Sequence, residues 1–89
     1  MDYNFINVKK NNNIKEVILV LDFQIEQGKN VIIYIDKNNM HSDSILLEYA
    51  YYNLNNNVYE LSRIDEKDRN LINNVVIELI SELKNNSEK

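Results

Sequence analysis

Between Leu61 and Asp68 the chain changes its hydrophobic period, and that change constrains everything on either side of it. Before it, Val58 to Leu61 reads as the end of a short strand. Asp65 then stands where a helix N-cap belongs, with Asp68 three residues on as an imperfect capping-box partner and Ile64 placed to act as a hydrophobic staple. Asp65, Glu66 and Asp68 also suit the positive end of a helix dipole. After it, Leu71, Ile72, Val75, Val76, Leu79, Ile80 and Leu83 recur at spacings of one, three and four, which draws one broad apolar stripe and leaves Ile77 off it. The spacing predicts a helix over about 66–84 that dissolves in a polar tail, 85–89.

The residues before the junction read as strands. Tyr3 to Val8 is the first, and Lys9 to Asn13 a polar break in which asparagine tolerates the left-handed conformation of a turn. Ile14 to Phe23 is a long strand, with Val17, Leu19, Leu21 and Phe23 expected on one face and Glu16, Ile18, Val20 and Asp22 on the other. Gly28, the only glycine, sits in Glu26-Gln27-Gly28-Lys29 where a hairpin needs a positive φ. Val31 to Asp36 returns, with apolar residues on both faces. Lys37 to Ser44 is a polar loop, Ile45 to Tyr52 a further strand and Asn53 to Asn57 a turn. Short turns with no intervening helix make this an antiparallel meander. The expected fold is α+β: one domain, 1–89, with a sheet of four to five strands over about 3–62 and one C-terminal helix packed on one face.

Composition narrows the function classes. No cysteine is present, so disulfides, zinc–thiolate sites, iron–sulfur clusters and thiol nucleophiles are excluded. One glycine cannot build a Walker or dinucleotide phosphate loop. A net charge of −4 disfavours nucleic acid as a partner and suits a basic patch on another protein. The densest apolar run, Val17 to Leu21, is too short to span a bilayer, and the N-terminus lacks the layout of a signal peptide. A cytoplasmic protein with no membrane partner is the expectation. Seventeen asparagines, two arginines and no proline reflect an AT-rich coding sequence and are not read as functional signals.

The order of elements, with Val20-Leu21-Asp22-Phe23, Gly28-Lys29, Ile33-Tyr34-Ile35-Asp36, Glu48-Tyr49-Ala50, Leu61-Ser62-Arg63-Ile64 and Leu71-Ile72, resembles the YrzB-like family of small acidic proteins from low-GC Gram-positive bacteria. The similarity spans roughly residues 14 to 84. Val31 stands where the family usually has an aromatic, and Arg69 where it often has tryptophan in the first helical turn. The resemblance implies a fold and no activity.

Three groups could carry chemistry, and each has a plain structural reading. Tyr49, Tyr51, Tyr52 and Tyr59 could stack single-stranded bases, but tyrosines on adjacent strands more often pair across a sheet, and Glu48 and Glu60 sit among them. Asp36, His41, Ser42 and Asp43 supply ingredients of a hydrolytic or metal site on one loop, without a second element to hold the imidazole and with a single histidine in the chain. Lys9, Lys10 and Lys15 form a small basic group that reads as a solvated hairpin tip able to make a weak phosphate contact.

No catalytic, cofactor-binding or metal-binding residue is therefore assigned, and no cofactor is expected. The strand faces are more informative: Ile18, Val20, Ile32, Tyr34, Leu46 and Tyr52 cannot all be covered by one helix, so the remainder is either a small second core under the N-terminal segment or an interface. The reading is a small non-enzymatic interaction or regulatory protein that contacts a protein partner or itself, with Ile18, Val20, Ile32, Tyr34 and Tyr52 as candidate interface. The alternatives are an RNA or ribonucleoprotein accessory factor, and a small hydrolase or metal-dependent enzyme around His41.

Overall fold

The computed structural model describes residues 3–40 and 45–87, with side chains over 3–37 and 46–82. It comprises β1 (Asn4–Lys10), β2 (Asn13–Ile25), β3 (Lys29–Met40), β4 (Ile45–Asn55), β5 (Val58–Ser62) and α1 (Glu66–Ser87). Asparagine makes two of the turns. Asn11 and Asn12 adopt φ of 52° and 67°, and Asn56 and Asn57 φ of 53° and 67°, the paired left-handed conformation of a two-residue hairpin turn. A single 3-10 turn, Glu26–Gly28, joins β2 to β3, and there Gln27 and Gly28 take φ of 66° and 71°.

Successive strands pair antiparallel, from β1 with β2 through β4 with β5. In a meander of five strands the first and last run the same way. They meet here in parallel, Asn7 opposite Val58, Val8 opposite Tyr59 and Lys9 opposite Glu60, and the sheet closes into a small barrel. The α+β class, the five strands and the C-terminal helix match the sequence expectation. Closure of the barrel was not foreseen, and it changes which residues are inside.

A bulge changes them further. Leu19 faces Tyr34 and Leu21 faces Ile33, so Val20 is the extra residue on β2. An inserted residue reverses the alternation beyond it. Val17 and Leu19 therefore join the barrel core with Val8, Ile32, Tyr34, Ala50, Tyr52, Tyr59 and Leu61. Phe23 and Ile25 instead join the outer cluster beneath the helix. The expected single face Val17, Leu19, Leu21, Phe23 is thus split between two cores.

The outer cluster is Val31, Ile64 and Ile72 with Phe23, Ile25, Tyr49, Tyr51 and Val76 packed around them. Ile64 is buried there against Ile72, which anchors the entry to α1. Asp65 takes the position before the helix, and its carbonyl accepts the Asp68 N–H at 3.0 Å. Its carboxylate, expected to cap the helix, accepts from Lys29 Nζ at 3.3 Å. The Tyr51 hydroxyl donates to Asp68 and accepts the Asp65 N–H at 3.2 Å. Tyr49 donates to Asn73 Oδ1 at 2.8 Å.

Several boundaries differ from the sequence reading: β1, β2 and β4 run on to Lys10, Ile25 and Asn55, past the expected ends at Val8, Phe23 and Tyr52. β3 continues through Lys37 to Met40, so half of the expected loop is strand; His41, Ser42 and Asp43 lie outside the described residues. The helix runs to Ser87 rather than ending near 84. Neither glycine nor proline stands there to stop it.

Candidate functional site

Strand lengths create the site. β4 has eleven residues and β5 only five, and β5 pairs with β4 from Tyr51 to Asn55 alone. Leu47 to Ala50 pair with β3 on one side. On the other side they have no strand partner among the described residues. An edge of this kind presents backbone N–H and C=O groups to whatever lies beside it.

Beside it lies a cleft of about 530 Å³. One wall is Glu48, Tyr49 and Ala50, and Lys10 at the end of β1 with Asn11 of the following turn contributes another. The end of β5 and its exit, Leu61 to Ile64, line it further, as do Tyr34 and Arg69. A second hollow of about 380 Å³ shares Arg63, Ile64 and Arg69 and continues toward the start of α1, where the Asp65 and Glu66 carboxylates also line it. The volume falls in the range of about 300–1,000 Å³ typical of ligand-holding clefts.

The electrostatics of the cleft oppose those of the whole chain. Net charge is −4, yet Lys10, Arg63 and Arg69 line the cleft and Glu48 is the only carboxylate in its wall. None of the three cations enters an ion pair among the described residues. Deeper in, Tyr34 faces Glu48 across the β3–β4 ladder. Burial, then the Glu48 and Asp36 carboxylates, push the Tyr34 phenol up to about 12. The Oε2 atom of Glu48 is buried and accepts no hydrogen bond from the described residues. Such acceptors are rare in folded proteins.

The candidate interface residues lie in three different places. Ile32 and Tyr34 are 0% and 2% exposed within the barrel core. Tyr52 packs against the same core, its ring 4.9 Å from that of Tyr59. Ile18 is buried, and Val20 is the half-buried bulge residue. Ile32, Tyr34 and Tyr52 are thus covered in the monomer by the barrel's own core, whereas Leu46 of the same strand faces is 57% exposed. Of the five residues, Tyr34 alone lines the cleft.

The other groups are dispersed. Tyr49 and Tyr51 are under the helix while Tyr52 and Tyr59 are at the barrel core. Asp36 is buried and bound by Lys15 Nζ at 2.5 Å. Only Lys10 of the expected lysine group reaches the cleft. Arg63 and Arg69, the only arginines in the chain, were not singled out as site residues from the sequence. The signal was present: the sole arginines stand six residues apart across a strand-to-helix junction.

Among the described residues no three His, Cys, Asp or Glu side chains stand together as a metal site. No described helix is long and apolar enough to cross a membrane. Comparison with known protein families, with curated proteins and with solved structures finds no match.

Proposed function

We propose that this chain is a small non-enzymatic interaction protein that acts by protein–protein contact through the cleft beside β4. The observation that supports it best is the coincidence of a strand edge, Leu47 to Ala50, that lacks a second strand partner among the described residues, with three cations on the walls facing it that enter no ion pair among those residues. Sheet edges and charged clefts are common means of peptide and protein recognition. The RNA reading draws less support, because the tyrosines that would stack bases pack into the two cores. A reading as a hydrolase draws on His41, which lies outside the described residues, and on Asp36, which Lys15 already binds.

Affinity purification at native expression with mass spectrometry tests the proposal, run in parallel for the natural chain and for a double variant, Arg63→Glu with Arg69→Glu. The expected result is a protein recovered with the natural chain and lost from a folded double variant. Equal recovery by both would sink the assignment of this cleft.

A further inference from the structure

Resting on that reading, we infer that the occupant of the cleft is an extended acidic segment of another protein, which adds to the barrel as a strand along Leu47 to Ala50. Three independent features carry this. The first is the edge itself. β4 is hydrogen-bonded to β3 from Leu47 to Ala50 and so is held extended, while its other side lacks a partner among the described residues. A pre-extended edge binds a strand without the ordering cost that a loop would incur.

The second is charge. Lys10, Arg63 and Arg69 come from three separate places, the end of β1, the exit of β5 and the first turns of α1, and converge on one cleft that holds one carboxylate, Glu48, with no ion pair to any of the three among the described residues. Three other lysines are matched, Lys15 to Asp36, Lys29 to Asp65 and Asp68, and Lys37 to Glu16, whereas Lys9 and Lys67 enter no ion pair among the described residues. It is the convergence of three cations on one cleft that favours carboxylates on the incoming segment.

The third is Glu48. Its Oε2 is buried without a hydrogen bond among the described residues, and in an antiparallel pair the residue directly opposite projects to the same face. A hydroxyl or amide donor opposite Glu48 would satisfy the carboxylate once it turns toward the cleft, and residues two positions either side, on the same face, would carry the carboxylates. The recognition rule is thus acid, any residue, donor, any residue, acid, in extended conformation. A small anion would satisfy the cations but neither the edge nor Glu48, which is why the strand is the favoured occupant.

The test is fluorescence anisotropy of the intact protein with labelled synthetic peptides at low salt. The reference probe is acetyl-Thr-Glu-Val-Thr-Val-Glu-Thr-amide. A twin carries N-methyl groups on alternate backbone amides along the edge that would pair, and another replaces both glutamates by lysine. We expect saturable binding of the reference peptide. N-methylation should weaken it by about tenfold or more, the scale of losing one to two net backbone hydrogen bonds. The lysine twin should not bind, replacing the central threonine by valine should weaken binding by about tenfold or more, on the order of one lost hydrogen bond to a charged group, and binding should fall as salt rises. Amide exchange should slow at Leu47 to Ala50. Equal binding of the N-methylated twin would overturn strand addition, and equal binding of the lysine twin would overturn the charge rule. Displacement of the reference peptide by inorganic phosphate at comparable concentration would make this an anion site instead. Binding of a single-stranded RNA oligonucleotide in preference to the peptide would also overturn it. If no peptide binds, strand addition fails; should the double arginine variant still lose its captured protein, the contact reading stands without it.

Discussion

Lys29 reaches Asp68 at 3.3 Å across 39 positions of chain, tying the β2–β3 turn to the first turn of α1. Tyr51 completes the contact by donating to the same carboxylate, and the Lys29 ammonium lies 5.2 Å from the centre of the Tyr51 ring. Hydrogen bonding from Tyr51 and then the Lys29 ammonium hold the Asp68 carboxyl below its ordinary value of 3.8, against the opposing effect of burial. Burial lowers Lys29, but the Asp68 and Asp65 carboxylates outweigh it and raise the ammonium above 10.5.

The pH dependence follows from those directions. A depressed carboxyl stabilises the fold above its unfolded pKa and loses that contribution as pH falls through the folded value. Asp68 therefore gives an acid limb that begins near its ordinary value of 3.8 and runs below it. Lys29 and Tyr51, both raised, give the opposite limb, lost as pH rises beyond 10.5 and 10.0. Thermal melts across pH should show both limbs in the natural chain. Asp68→Asn should melt lower at neutrality and show a flatter acid limb; an unchanged acid limb would remove Asp68 as its source.

Tyr34 gives a separate spectroscopic signature. Its phenol is pushed up to about 12 by burial and by Glu48 and Asp36; burial also raises Tyr51 and Tyr52, so Tyr34 should be the last of several late phenols to ionise. Ultraviolet titration of phenolate absorbance should show a final step in the natural chain whose amplitude falls by one phenol in Tyr34→Phe. The step is to be read only while circular dichroism still reports a folded chain.

Core truncations should separate strongly from surface ones. Ile32 and Ile72 are each 0% exposed, one in each core, whereas Ile77 is 63% exposed. Ile32→Ala and Ile72→Ala should each destabilise by about 2–5 kcal/mol in urea unfolding. Ile77→Ala should stay within about 0.5 kcal/mol. Similar losses at Ile72 and Ile77 would mean that α1 is not seated as described.

Deletion of Val20 tests the bulge. Removing the extra residue would carry Phe23 and Ile25 from the outer cluster toward the barrel interior, or force the opposite shift on Val17 and Leu19. The deletion should abolish the dispersed amide spectrum of a folded chain, while Val20→Ala should retain it. A folded deletion variant with native stability would show that the register is not fixed there.

The asparagine turns offer a gain. Asn12 and Asn57, each with φ of 67°, occupy second turn positions where glycine is the most favoured residue. Asn12→Gly and Asn57→Gly should each raise stability, by a few tenths of a kcal/mol, since glycine removes side-chain strain at positive φ but has more unfolded-state entropy to lose. Calorimetry can resolve the pair combined.

Much of this architecture is legible in the sequence because the signals are local. Asn11-Asn12, Gly28 and Asn56-Asn57 mark the three short turns, and the change of period after Leu61 marks the helix. The bulge is not legible, because Leu19, Val20 and Leu21 are all apolar and none is marked as the extra one. Barrel closure depends on β1 meeting β5, a contact that no local pattern encodes. Counting the strands as five rather than four to five would have required a parallel seam if the sheet closed. The cleft follows from the shortness of β5, which was readable, but its cations come from three segments that only the folded chain brings together.

The parallel seam also orders events in time. Four of the five strand pairings join neighbours in the chain, and each can form as soon as its turn does. The fifth joins Asn7 to Val58 and so spans the whole sheet. Its loop-closure cost is met only after the hairpins exist, which makes the seam a late step in folding. Until β5 pairs with β1, both margins of the sheet carry unpaired backbone groups, so the seam is the step that closes them against each other.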